Sequence, residues 1–301
     1  MVRPATVAPL RRHRTRLAWA ALAPALAVVA AVAGWPLLRT LSLAFTDARL
    51  ATIETARWVG LENFAWTLSD PDWWRAVFNT LVFAVCSVSL ELVLGLAFAL
   101  LLNAGLRGQG ALRAVALVPW AVPTVVAAQV WRWMYHDVHG VVNELLLGLG
   151  VIAQPVAWLA DPALSLAAVI LTDVWKATPF VTLLLLAGLQ TIPAPVIAAA
   201  RLDGAGPLDL LIRIILPLLR PAIVVAVLFR ALDALRVFDL IYVMTSNSRA
   251  TATVSIYTRQ ALIDFQDLGA GSAAAVLTFA LIGMVAVAAV FALRPATGVA
   301  R

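Results

Sequence analysis

Glu91, Asp173, Lys176, Arg230, Asp233, Arg236 and Asp239 each interrupt an otherwise apolar stretch of this 301-residue sequence. An ionisable residue at the centre of a membrane helix costs about 2.5–3.5 kcal/mol on insertion scales, so it has to face protein or a water-filled cavity. Asp173 and Lys176 are spaced by three and can pair on one helix face. Arg230, Asp233 and Arg236 repeat that spacing, so Asp233 can be shared by two arginines. Such groups either tie helices together by neutralising one another or line a path for a polar solute. An uncharged polar solute can be held by charged groups and aromatic faces together, and Trp131, Trp133 and Trp175 supply rings nearby. Of the 22 Lys and Arg residues, Lys176 is the one lysine.

Residues for covalent chemistry are not arranged to perform it. There is no Gly-x-x-x-x-Gly-Lys-Ser/Thr loop to cradle a nucleotide, no His-Glu-x-x-His and no Gly-x-Ser-x-Gly. The chain is therefore not expected to be an enzyme. His136, Asp137 and His139 offer only two imidazoles without further ligand spacing, so a polar loop and no metal is expected. Cys86 is the single cysteine, inside an apolar run, and reads as a small hydrophobe.

The elements that carry these residues must lie in lipid. Hydrophobic residues make up 63% of the chain and charged residues 13%, against about half and a quarter in soluble domains. So few polar groups cannot cover a water-facing surface. Runs of about 20 apolar residues mark membrane helices. The reading is an all-α membrane protein with about six transmembrane helices. A basic tail (1–16) precedes the first helix (17–45, apolar core Leu17–Leu38). A loop (46–75) leads to a core domain (76–293) with helices at about 76–102, 114–135, 163–190, 221–244 and 272–293, and a tail (294–301) follows. The 114–135 segment contains Pro119 and Pro123, and the 221–244 segment is the weakest because charges interrupt it.

Charge sets the expected orientation. With both termini cytoplasmic, inside segments hold Arg3, Arg11, Arg12, Arg14, Arg16, Arg107, Arg113, Arg201, Arg213, Arg220, Arg294 and Arg301 against Asp203 and Asp209. Acids outnumber arginines in the outside segments, as the positive-inside rule requires. The net charge of +6 is thereby assigned to the bilayer, and no nucleic-acid partner is expected. Ala31-Val32-Ala33 after an apolar run also resembles a signal-peptide cleavage site, but the run is longer than the usual 7–15 residues. The outside loops carry Trp58, Phe64, Trp66, Trp73 and Trp74, suited to the headgroup belt, and a short surface helix at Val141–Leu149.

The loop at 191–220 is too long for a plain connection. Pro195 suits a first helical turn, the alanines that follow favour helix, and Gly204 suits a left-handed end. A two-turn helix and a sharp turn are expected, held by packing because so short a helix is marginal alone. Pro217 and Pro221 are expected to bend or break the chain as it enters the membrane.

This loop resembles the cytoplasmic signature of binding-protein-dependent ABC importer permeases: Glu-Ala-Ala, Gly after three more residues, then Ile-x-Leu-Pro. Ala199, Ala200, Gly204, Ile214, Leu216 and Pro217 match in register, while Ala198 stands where the family has Glu. Gly60-Leu61-Glu62-Asn63-Phe64 and Phe238 to Thr245 resemble two further boxes of sugar permeases, although Ser246-Asn247-Ser248 replaces the usual Gly-Gly-Pro. Val174 to Phe180 and Leu228 to Arg236 are similar to the first permease subunit of mycobacterial-type trehalose importers. The resemblance implies a type-1 ABC importer transmembrane domain in the plasma membrane, importing a sugar such as the disaccharide trehalose. It implies a second permease subunit as heterodimer partner, an ATPase dimer inside and an extracytoplasmic sugar-binding protein outside. Ala198, Ala199, Ala200, Arg201, Asp203, Gly204, Leu216 and Pro217 would then form the ATPase-coupling surface. No cofactor is expected on this chain, with ATP and Mg on the partner ATPase. An ion-coupled secondary sugar transporter working without an ATPase is the alternative, favoured by inverted repeats with broken helices, of which no clear pair is seen.

Overall fold

The computed structural model describes residues 8–105 and 108–293, so the basic residues expected inside at positions 3, 107, 294 and 301 lie outside the described residues. The described chain is helical, with two isolated backbone bridges, Thr46 to Trp58 and Arg49 to Asp267, and no strand. In lipid only a helix or a closed barrel satisfies every backbone group, and this composition takes the helix. Among the described residues five helices are long and apolar enough to cross a membrane, or six if one bent pair is a single span.

Helix α1 runs from Ala8–Val29 through a π turn, Ala30–Gly34, into Trp35–Leu43. Its Trp35–Leu43 part packs on the last helix, and none of its apolar membrane stretch is buried. A short helix, α2 (Glu62–Ser69), precedes α3 (Pro71–Asn103). Asp70 caps α3 by accepting from the Asp72 N–H at 2.8 Å, and Pro71 sits in the first turn, so the helix begins inside the expected 46–75 loop. Between α2 and α3 and the later loops lies a clasp: the Tyr257 hydroxyl donates to Asp70 at 2.7 Å and Arg249 pairs with Asp72. Burial, then that Asp70 contact, pushes the Tyr257 phenol above its ordinary range.

The expected span 114–135 is two helices, α4 (Gln109–Ala121) and α5 (Thr124–Met134), meeting at 90°. Pro123 makes the break, because the residue before a proline is driven out of the α region, and Val122 is extended (φ −71°, ψ 130°). Pro119 stays inside α4. Helix α6 (Val141–Gly148) lies in the following loop, and α7 (Ser165–Gln190) is long and apolar enough to cross a membrane.

Helix α8 (Ala194–Leu202) and a turn lead into α9, which begins at Pro207 rather than near 221. It runs as Pro207–Asp209, a π turn Leu210–Ile215, and Leu216–Ala234. The expected break at Pro217 and Pro221 does not occur. In a regular helix the Pro217 ring would meet the Arg213 carbonyl, and Arg213 lies in the widened π turn that relieves the clash. Nor does this span reach 244. The helix ends at Ala234, and α10 (Asp239–Thr245) starts after a break, which leaves Arg236 and Asp239 off the continuous span. Helix α11 (Val254–Arg259, with a π turn Gln260–Asp264) and α12 (Leu268–Leu293) complete the chain.

Small residues let the central helices touch. A Cβ on Gly95 of α3 would lie 2.7 Å from Val181 Cγ1 of α7, and one on Gly188 of α7 would lie 2.6 Å from Ala222 Cβ of α9. Close approach at small residues is the usual route to helix association in lipid, where apolar burial drives nothing. Two apolar clusters result. One is built on Phe83, Val169, Leu240, Ile241 and Ile256, the other on Leu185, Leu189, Ala200, Leu210 and Leu219.

Candidate functional site

Arg230 on α9 is buried and joins three helices. Its Nε donates to Glu91 Oε2 at 2.5 Å and its Nη2 to Glu91 Oε1 at 2.8 Å, a two-bond fork to α3. Nη2 also donates to Asp173 Oδ2 of α7 at 2.8 Å, and Nη1 to Asp233 Oδ2 at 2.5 Å. The expected Asp173–Lys176 pair does not form, because Arg230 takes the Asp173 carboxylate. Asp233 does stand between two arginines, with Arg236 Nη2 3.8 Å from its Oδ1. Among the described residues Lys176 makes no hydrogen bond or ion pair, and it is half-buried. The Glu91 partnership had no sequence signal, since 139 positions separate it from Arg230.

These groups form the polar wall of a cavity of about 400 Å³. Asp173, Lys176, Arg230, Asp233, Arg236 and Asp239 line it together with Phe83, Trp120, Phe180, Phe229 and Phe238. Trp120 stacks on Phe180 with ring centres 6.0 Å apart, and Phe229 stands edge-on to Phe180 at 6.4 Å. A ligand site of 300–1,000 Å³ with apolar walls and a few convergent polar groups has this make-up. The rings expected from sequence do not take part. Trp131 packs on Tyr135 and Trp175, and Trp133 is exposed away from the cavity. What brings Trp120 to the wall is the bend after Ala121, and Pro123 was its signal. At the end of α9 the cavity is open: the side chains of Asp233 and of Arg236, just past the helix, are 60% and 71% exposed.

The second region is the turn at the far end of α9. Pro195 lies in the first turn of α8, and Gly204 closes it at φ +85°. The Ala205 N–H reaches the Ala200 carbonyl at 3.0 Å and the Gly204 N–H reaches Arg201 at 3.1 Å, the two bonds of a left-handed helix stop. Ala200 is buried against the lower cluster with Leu210 and Ile215. Ala198, Ala199, Arg201, Asp203 and Gly204 are exposed, as is Pro217, while Leu216 is half-buried. Leu202 projects with 89% of its surface open. The result is a small, fixed knob with an uncovered apolar tip. No carboxylate stands at Ala198 to lend it charge.

Elsewhere, His136 Nδ1 accepts the backbone N–H groups of Val138 and His139 at 3.2 and 3.3 Å, which commits it to a loop turn. Among the described residues no group of three metal-ligating side chains comes together.

Residues 91–299 match the family of binding-protein-dependent transport system inner membrane components. The trehalose/maltose transport system permease protein MalF of Thermococcus litoralis is 43% identical over 91% of this chain and 92% of its own. The sulfoquinovosyl glycerol transport system permease protein SmoG of Agrobacterium fabrum is 38% identical over 86% and 84%. The trehalose transport system permease protein SugA of Mycobacterium tuberculosis is 40% identical over 92% and 88%. Among solved structures, a bacterial ABC transporter that imports the acidic polysaccharide alginate superposes with a TM-score of 0.80 over 95% of this chain and 97% of that one, at 22% identity, a likeness of fold. The chain belongs to this family of inner membrane components, as a multi-pass permease of the ABC-importer type standing with the family's sugar permeases.

Proposed function

We propose that this permease carries an uncharged disaccharide of the trehalose type through the cavity beside Arg230, driven by an ATPase on separate subunits that grips α8. The observation that carries the reading is the cavity itself, in which hydrogen-bonding charges face a stacked pair of rings. A sugar has hydroxyls that both donate and accept and an apolar ring face, and this wall offers a partner to each. Relatives named for trehalose and maltose transport, 43% and 40% identical, support the choice of sugar.

The rest of the assembly follows from what each exposed surface requires. Asp233 near the end of α9 and Arg236 just beyond it are mostly uncovered, and exposed charge is unfavourable against lipid. A second, similar permease subunit would cover that flank. Helix α8, held by packing yet tipped with open Leu202, fits a cleft on an ATPase subunit. Arg201, Arg213 and Arg220 near this end support a cytoplasmic side for α8 and for both termini. An extracytoplasmic sugar-binding protein would deliver the ligand at the opposite end. ATP-driven closure would then move α8, and with it α9, whose other end holds Arg230 at the cavity. That is a two-state membrane element biased from one face.

Uptake of labelled trehalose, maltose and lactose by a deletion strain, with and without this chain, tests the reading. Restoration of trehalose or maltose uptake that needs the partner ATPase is expected. Uptake unchanged by the deletion, or restored in liposomes by this chain alone along an ion gradient, would sink it.

A further inference from the structure

We infer that Lys176 is a specificity-determining residue that donates hydrogen bonds to an uncharged, hydroxyl-rich ligand in the cavity. This rests on the proposed sugar-carrying role of that cavity.

Four observations converge. Lys176 lines the cavity from the middle of α7. It is half-buried and makes no hydrogen bond or ion pair among the described residues, although Asp173 is one turn away. An unpaired ammonium at membrane depth is costly, so a fold that keeps one has to gain from it elsewhere. The sequence otherwise supplies every basic residue as arginine, yet places its one lysine here. An ammonium is a compact charge with three rotatable donors on a flexible stem, suited to variable hydroxyl positions, whereas a guanidinium is a rigid fork suited to carboxylates.

Charge balance settles the ligand class. Three acids, Asp173, Asp233 and Asp239, share the lining with three cations, Lys176, Arg230 and Arg236, and Glu91 is bonded to Arg230. Although Lys176 has no acid bonded to it, the cavity carries as many acids as cations, so an anionic sugar would gain no net attraction. A neutral polyol can take Lys176 as donor and a free aspartate oxygen as acceptor at once.

A single lysine permits a test without mutation. The importer, reconstituted in nanodiscs with its partner subunits, is treated with an amine-acetylating reagent, and modification of the Lys176 peptide is followed by mass spectrometry. Trehalose added directly should slow acetylation severalfold, and glucuronate should not. In transport assays Lys176→Met should raise KM about tenfold, the scale of one lost hydrogen bond to a charged donor. Its melting temperature should equal or exceed the parent's, because an unpaired charge is gone; a lysine kept for structure would lower it instead. Acetylation indifferent to trehalose, equal protection by glucuronate, or a parental KM in Lys176→Met would each overturn the assignment. If instead no sugar is taken up by the parent importer, it is the function of the cavity that fails.

Discussion

The cavity wall and the α8 turn are opposite ways of building a site on one long helix. At one end of α9, Arg230 gathers carboxylates from α3, from α7 and from its own helix, with Glu91 fully buried, Asp173 nearly so and Asp233 open to the cavity mouth. At the other end, α8 is made of neighbours in sequence and leaves most of its side chains open. The buried site depends on distant parts of the chain arriving together. The exposed site is complete within a dozen residues and needs the rest of the molecule only as a platform. One consequence is energetic. Breaking the first should damage the fold, and altering the second should damage coupling while the fold survives.

The largest effect is expected at Arg230. Arg230→Ala leaves Glu91 and Asp173 buried without their partner, a change on the order of 3–5 kcal/mol. Thermal unfolding in detergent should show a collapse in stability or a failure to accumulate. The double variant Glu91→Leu with Arg230→Met should be more stable than Arg230→Ala, since it leaves one buried carboxylate, Asp173, without its partner rather than two. Equal loss in both would mean that the network is not held by charge.

Next comes Gly188, on the side of α7 that faces α9. Gly188→Leu forces bulk into a contact where even a Cβ would lie 2.6 Å from Ala222, and overpacking of this kind costs about 1–3 kcal/mol. Lower melting temperature together with weaker sugar-stimulated ATP hydrolysis is expected, because α7 and α9 separate between the two sites. A parental melting temperature would show that α9 is looser than its contacts imply.

A smaller effect on stability, with a larger one on function, is expected at Gly204. Its φ of +85° suits glycine, and a β-branched residue there is strained by about 1–2 kcal/mol. Gly204→Val should fold, hydrolyse ATP and transport poorly. Normal sugar accumulation would separate α8 from coupling and erase the contrast between the two regions.

The smallest change is a gain. Ser246 holds φ 55° and ψ −128° after α10, a conformation natural to glycine and strained for serine. Ser246→Gly should raise stability by up to about 1 kcal/mol, read as a shift of a few degrees in melting temperature.

The same contrast explains what could be read in the sequence. The α8 turn was legible because Pro195, the alanines and Gly204 act through bonds to near neighbours, and the structure puts the helix stop at the residue their chemistry indicates. The membrane helices were legible because lipid demands long apolar runs. The partners of Arg230 were not. Asp173 had a plausible mate three residues away in Lys176, and nothing local announces that a guanidinium from α9 will displace it. Trp120 was missed for a related reason, since its place on the wall depends on a right-angle bend rather than on helical spacing. Proline misled in one place and informed in another. Pro123 breaks a helix, whereas Pro217 is absorbed by a π turn that its own sequence does not mark.

Ala199→Cys, in a Cys86→Ser background, places one thiol on the exposed face of α8 for cross-linking to the partner ATPase in membrane vesicles. A cross-linked band that forms at the cytoplasmic face and changes in yield when ATP is added is the expected result. A thiol that reacts only with reagents applied from the opposite face, and never with the ATPase, would contradict both the orientation of the bundle and the role of the knob.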